Sequence, residues 1–426
     1  MLATPRAKLI ALGLLLALTA ATGRLASANG AFPDSYGILA PPDRPKELTL
    51  GTNFGLITSE DDGRTWTWSC EQPVANQASL YQLGPAPQNR LYALSEQGLI
   101  RSDDLSCTWA VAGGMATNVQ PTDLFPDQTD PSHLLVLAVP NSSEIMGAAV
   151  YESRDGGQTV GTALYHGPSH GDLTGIESAR TDPRIIYVAS YDTPGPRPRL
   201  IKSTDRGATW NAPVDLEPTI GPNIVRIIAV DPVDAQRIFL RVAGPQSQAL
   251  AISTDGGATF VTPVHFGVTL TAFARLASGT ILVAGLESDA QGKTVGSGFR
   301  SSDGGRTFTP WAVPQLRALV ERDGKVYGAA DNVVDGFALG VSTDEGMTFR
   351  PIMKFGDVSS VRRCVQETCA DSCRALAMAN IWPERICQSS PAARGAAGCA
   401  VGGEHAAPLW WLIVATAGLF VVLSTR

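Results

Sequence analysis

From residue 32 to about residue 361, apolar and polar residues alternate over short runs bounded by Gly, Pro, Asn and Asp. That is the signature of half-buried strands. Residues 224–266 show it most plainly. The stretch 224–230 alternates, Asp231-Pro-Val-Asp234 turns the chain, and 237–242, 248–253 and 260–266 predict three further strands. The same order predicts strands at 173–179, 185–190, 200–203 and 210–216, with Thr181-Asp-Pro183 as the first turn. It recurs at 316–321, 325–330, 337–342 and 349–354, and a first set reads 36–39, 47–52, 56–59 and 67–70.

Between the third and fourth strands of each set stands one octet, best seen as Ser253-Thr-Asp-Gly-Gly-Ala-Thr-Phe260. Other copies begin at Ser59, Ser102, Ser153, Ser203, Ser301 and Ser342, so successive copies lie 43, 51, 50, 50, 48 and 41 residues apart. A period of that size marks stacked supersecondary units. Five copies follow Ser-x-Asp-x-Gly-x-Thr-aromatic throughout; Val160 replaces the aromatic in the third and Ser106 replaces Gly in the second. A carboxylate between two short strands can accept from the turn's own N–H groups and the Ser hydroxyl. Gly two positions later permits the positive φ such a turn needs. Seven copies cannot all be one active site, so Asp61, Asp104, Asp155, Asp205, Asp255, Asp303 and Asp344 are assigned to turn locking and not to catalysis.

The octet resembles the Asp-box, or BNR, repeat of β-propellers, found in sialidases, sortilin-type receptors, some glycanases and photosystem assembly factors. Seven boxes over residues 32–361 predict an all-β, seven-bladed propeller of four-stranded blades. Closing a ring leaves only short sheet edges. No Trp-Asp dipeptide recurs, which argues against the WD40 type. Sialidases also carry a three-Arg cluster, a Tyr/Glu couple and a Phe-Arg-Ile-Pro stretch. That stretch does not occur in this chain, so the resemblance to sialidases is confined to the boxes.

Charge and cysteine content narrow the setting. A net charge of −7 and the lack of a Lys/Arg cluster interleaved with aromatics exclude a nucleic-acid partner. Residues 1–28 read as a secretory signal peptide: Arg6 and Lys8, an apolar run at 9–21, then Ala26-Ser-Ala28 as the cleavage site. Mature protein then begins at Asn29. Seven cysteines in an exported chain favour disulfides. Cys70 and Cys107 follow or lie within adjacent boxes and are expected to pair with each other. Cys364, Cys369, Cys373 and Cys387 fall at 362–388 and predict a helical two-disulfide module acting as stalk or plug, with three pairings open. Metal binding by the same run is the disfavoured rival, and nothing else calls for a metal or cofactor.

In such a propeller the boxes lie on the rim opposite the ligand-side loops, which join blade to blade and second strand to third. The longest of these span 140–146, 165–172, 191–199 and 287–298. They bring forward Glu144, His166, His170, Asp172, Asp192, Arg197, Arg199, Glu287 and Asp289 as candidate ligand-binding residues. His166-x-x-x-His170-x-Asp172 holds ligand-type residues, yet a Gly/Pro-rich loop does not fix two imidazoles on one metal as a helix would. Arg197-Pro-Arg199 has the chemistry to grip a carboxylate or phosphate. No acid pair stands out for glycoside hydrolysis, which needs two facing carboxylates. A non-catalytic propeller binding a glycan or protein is therefore favoured, with a glycoside hydrolase as the alternative.

The chain closes with a small-residue spacer at 389–407, containing Gly398-Cys399, and an apolar run at 408–424 before Arg426. As a helix, sixteen to eighteen residues span roughly 24–27 Å, slightly short of the hydrocarbon core. Trp410 and Trp411 suit the outer interface and Arg426 the cytoplasmic end. This ending resembles the three-part sorting tails called MYXO-CTERM, although those usually end in several Arg residues. The resemblance implies cleavage near Cys399 by a sorting protease, a lipid anchor on Cys399 and display at the bacterial cell surface. An uncleaved helix would instead hold the propeller outside the cytoplasm.

Overall fold

The computed structural model describes residues 33–71, 80–115, 119–140 and 147–388. Four consecutive strands build each of seven antiparallel sheets, and these are the blades of an all-β propeller. The innermost strands are Ser35–Leu39, Leu80–Leu83, Val119–Pro126, Gly171–Ala179, Ile224–Val230, Thr269–Arg275 and Leu316–Arg322. Blade five follows the hydrophobic pattern to within one residue: Ile224–Val230, Ile238–Ala243, Gln248–Ser253 and Val261–Phe266. Blade four departs from it. Its second and third strands extend to Asp182–Asp192 and Arg197–Ser203, so the expected long loop is a short hairpin, and its fourth strand shrinks to Val214–Asp215.

Each octet is built in the same way. The Ser hydroxyl donates to one Asp oxygen at 2.6–2.9 Å and accepts the N–H of the fifth octet residue at 2.8–3.0 Å. The Thr N–H donates to the same Asp oxygen at 2.8–3.0 Å, and the Thr hydroxyl to the other at 2.5–2.7 Å. In blade one the Thr65 N–H and hydroxyl hold the Asp61 carboxyl down at about 2; in blade five the Thr259 hydroxyl and N–H do the same for Asp255. The locks are thus charged throughout the neutral range.

The fifth octet position also seats each turn on the blade before it. Gly257 has φ +90°, and a Cβ there would lie 2.1 Å from Leu200 Cδ2 of blade four. In the second copy Ser106 adopts φ 71°, and its hydroxyl donates to Ser69 Oγ of blade one at 3.1 Å. A polar contact with the neighbouring blade accompanies the left-handed conformation there.

Seven buried clusters fill the seven blade-to-blade interfaces, since every blade is a sheet with two faces to cover. Six are shared by two blades alone. The seventh, between blades seven and one, also takes in Phe355, Val358, Val361, Val365, Trp382 and Ile386 from the C-terminal segment. Buried Arg322 of blade seven reaches across the same seam. It donates to the carbonyls of Pro45 at 2.7 Å and Arg44 at 3.4 Å, and also to that of Glu47.

That segment corrects two expectations and adds a strand the sequence did not predict. Val358–Val361 pairs parallel with Trp66–Ser69 and becomes a fifth strand on the outer edge of blade one. Cys70 and Cys107 do not bond each other. The fifth strand carries the chain onto blades one and two, where Cys369 meets Cys70 and Cys364 meets Cys107, both with Cα–Cα distances of 5.5 Å. Only Cys373–Cys387 is internal to residues 362–388, which form no separate stalk and belong to the same compact unit as the blades. The helix is Ala370–Met378, and Trp382 beyond it stacks obliquely on Trp68 with centroids 4.9 Å apart. All six of these cysteines are disulfide-bonded, as the sequence led us to expect. Among the described residues no helix is long and apolar enough to cross a membrane. The leader, Cys399, the spacer at 389–407 and the apolar run at 408–424 lie outside the described residues.

Two outcomes follow from this packing. Gly257→Ala should cost roughly 2–4 kcal/mol, from left-handed strain plus overpacking. Adding Leu200→Ala should recover the overpacking share relative to Leu200→Ala alone, read by denaturant unfolding. Cys369→Ser should cost about 3–4 kcal/mol, because with Cys107–Cys364 still in place the bond it removes closes a loop of roughly 40 residues. Non-reducing peptide mapping should join Cys70 to Cys369 and Cys107 to Cys364; a Cys70–Cys107 peptide would refute the arrangement.

Candidate functional site

Antiparallel connectivity puts the blade-to-blade and second-to-third-strand loops at the strand ends opposite the octets. On that face of blade four, Pro168, Ser169, His170, Asp192, Thr193, Pro194 and Arg197 line a shallow depression of about 390 Å³. Three of the candidate residues therefore come together: His170, Asp192 and Arg197. Strand register sets Asp192 directly opposite Arg197, and the Thr193 N–H donates to the His170 carbonyl at 2.9 Å, tying the two loops to each other. Arg199 stands beside them as a strut, donating to Asp192 Oδ2 at 3.2 Å and forming an ion pair with Asp215 Oδ2 of the outer strand at 2.9 Å.

The remaining candidates serve their own backbone. Asp172 caps Leu173 N–H at 2.8 Å, and burial raises its carboxyl above the usual range. Both oxygens of Glu287 accept the Gly267 N–H, at 2.7 and 2.8 Å. Asp289 accepts from Gln291 N at 2.9 Å and Lys293 N at 2.8 Å, which closes a turn. His166 is exposed at the end of the outer strand Ala163–His166 of blade three. No group of three metal-type side chains gathers among the described residues, and Glu144 lies outside them.

A second cavity, of about 260 Å³, lies between the inner strands and holds Asp123, Glu177, Arg226 and Arg241. The inner strands of blades one and three to seven each carry a register break against the second strand. Such bulges re-aim side chains at barrel and propeller rims. Arg226 of blade five crosses the inner edge of blade four to reach Asp123 Oδ1 of blade three at 3.1 Å. Gly175 makes the passage, since a Cβ there would stand 3.3 Å from the Arg226 Cγ and 3.0 Å from Ile227 N. Asp123 accepts also from Leu124 N at 3.1 Å and Ile176 N at 3.2 Å, yet burial keeps its carboxyl above the usual range.

Glu177 accepts the Val230 N–H of the next blade at 2.8 Å. Burial, with Asp123 adding to it, pushes its carboxyl up to about 8. Burial, and then the neighbouring Arg226, lower the Arg241 guanidinium. The loop-centred reading of the sequence missed this group. Its signal was there: single charges inside otherwise apolar strand runs, Arg226 in Ile224–Val230 and Arg241 in Ile238–Ala243.

The raised Glu177 carboxyl gives a signed pH effect. The folded state binds the proton more tightly than the unfolded chain, so stability falls as pH rises from the ordinary carboxylate range through about 8. Glu177→Gln keeps the carbonyl acceptor and removes the ionisation. It should melt roughly 2–4 °C above wild type at pH 9 for each kcal/mol recovered, and the difference should vanish at pH 4.5. Equal melting temperatures at both pH values would refute it.

No protein-family model matches the chain. No curated protein matches it either. Solved structures do. A puromycin-hydrolysing peptidase of Mycobacterium tuberculosis has 11% identity and a TM-score of 0.51, over 78% of this chain and 55% of that one. The GH74 xyloglucanase of Xanthomonas campestris has 14% identity and a TM-score of 0.40, over 74% of this chain and 58% of that one. The Hadza microbial sialidase Hz136 has 14% identity and a TM-score of 0.42, over 67% of this chain and 71% of that one. The chain thus spans less than two thirds of the peptidase and of the xyloglucanase. At these identities the likeness concerns the propeller fold alone.

Proposed function

We propose that this chain is an exported, surface-displayed, non-catalytic propeller that binds a glycan or protein through the depression on blade four. One observation carries the reading. The acids on the ligand-side loops of blade six, Glu287 and Asp289, are engaged by their own backbone, while His170, Asp192 and Arg197 gather around open space. A glycoside hydrolase needs two carboxyl groups about 5–9.5 Å apart across a cleft. The depression offers one, Asp192, beside two arginines.

The octets, with their self-contained hydrogen bonds, act as Asp-box turn locks and leave the opposite rim for recognition. Three disulfides support an oxidising compartment, in keeping with a leader at 1–28. Display is assigned to the C-terminal run 408–424, either as a membrane helix or through cleavage by a sorting protease and lipidation of Cys399.

A glycan array probed with the full chain tests this directly. The expected result is a bound oligosaccharide that stays intact and is released at least tenfold more readily by Arg197→Gln, a loss of about 1.4 kcal/mol. Turnover of the bound glycan would favour the hydrolase, and binding unaffected by Arg197→Gln and Asp192→Asn would move the site elsewhere.

A further inference from the structure

We propose that the axial cavity is a second, separate site, which takes a small organic monocarboxylate with a compact apolar body, its carboxylate held by Arg241 with Arg226 alongside. Arg226 and Arg241 are direct cross-strand partners in blade five. Cβ atoms so paired stand about 4.5–5.5 Å apart, and like charges in that relation repel. Asp123 answers Arg226 through the ion pair at 3.1 Å. The Arg241 guanidinium makes no hydrogen bond or ion pair among the described residues, although it lines the cavity. With Asp123 on Arg226, the Arg241 guanidinium is left without an anion among the described residues.

The remaining titratable groups of the cavity do not supply the missing anion. Its only titratable liners among the described residues are Asp123, Glu177, Arg226 and Arg241. Asp123 is ion-paired to Arg226, and the Glu177 carboxyl, raised to about 8 by burial, accepts the Val230 N–H. The one guanidinium left without a partner matches a carboxylate better than a phosphate dianion. Guanidinium groups bind planar carboxylates through paired N–H donors. Of the apolar liners, Phe125, Ile228 and Phe273 keep exposed surface and suit an apolar body, beside Gln82 and Thr271, while Leu124, Ile176, Ile227 and Leu270 are buried in the blade-to-blade clusters. A volume of about 260 Å³ lies below the range of about 300–1,000 Å³ for drug-sized ligands.

The test is calorimetric titration of the intact, disulfide-bonded protein at pH 6.5 with benzoate, benzamide and inorganic phosphate. Benzoate should bind saturably, benzamide should give no binding, and phosphate should bind more weakly than benzoate. Arg241→Gln should weaken benzoate at least tenfold while melting no lower than wild type, since it removes a charge with no partner. Glu177→Gln should retain benzoate binding. The idea is overturned if benzoate does not bind, if benzamide binds as tightly, if phosphate binds more tightly, or if Arg241→Gln leaves benzoate unchanged. Benzoate against benzamide on the wild-type chain needs no variant, so the proposal stays exposed even if Arg241→Gln fails to fold. Neither arm involves the blade-four depression, and a failure here leaves the proposed glycan or protein binding untouched.

Discussion

A ring of sheets has a seam wherever its last blade meets its first, and here blades one and seven meet without sharing a strand of either four-stranded set. Blade one is complete from the N-terminal side and blade seven from the strands before residue 354, so no strand exchange joins them. The fifth strand Val358–Val361, zipped onto Trp66–Ser69, takes over that task. Two disulfides with sequence separations of 299 and 257 then fix the segment to blades one and two. Every other blade interface depends on this one, because an open seam would let the outer faces of blades one and seven into water. Arg322, buried against three carbonyls of the facing blade, adds a polar lock where an orphaned acceptor would cost about 1–3 kcal/mol.

With the ring closed, the two rims take different work. The octet rim is held by hydrogen bonds that each turn makes to itself, and in blades three to seven its fifth-position glycine leaves a Cβ no more than 3.0 Å from a neighbouring blade's side chain. That rim has little freedom to vary. On the opposite rim the loops lie at the other ends of the same strands, where strand length sets how far they project. Blade four extends its middle strands and lifts Asp192 and Arg197 beside His170. The fold is shared with enzymes and carries no chemistry by itself; what this chain can recognise depends on such local extensions.

The axial group follows a different logic. Charged residues seldom occupy inner strands unless paired, and here Asp123, Glu177, Arg226 and Arg241 crowd one cavity between blades three, four and five. One cross-blade ion pair joins Asp123 to Arg226, burial raises the Glu177 carboxyl, and the Arg241 guanidinium has no anionic partner among the described residues. Gly175 eases that crossing, because a Cβ there would crowd the Arg226 stem and the Ile227 nitrogen.

The blade count, the strand order and the role of the octets were legible in the sequence, because each rests on local periodicity and on hydrogen bonds spanning at most four residues. Blade five was readable almost residue for residue for the same reason. Cysteine oxidation was legible too, but not the partners: Cys70 and Cys107 lie near each other in sequence, while the bonds they make cross from the first two blades to the C-terminal segment. Nothing local announces that Val358–Val361 will leave blade seven for blade one. The tertiary structure also decided which charges meet, gathering His170 with Arg197, parting them from Glu287 and Asp289, and bringing Asp123 to Arg226 across 103 residues. Distances between strands of different blades are set by ring closure, and ring closure is a property of the whole chain that no window of sequence contains.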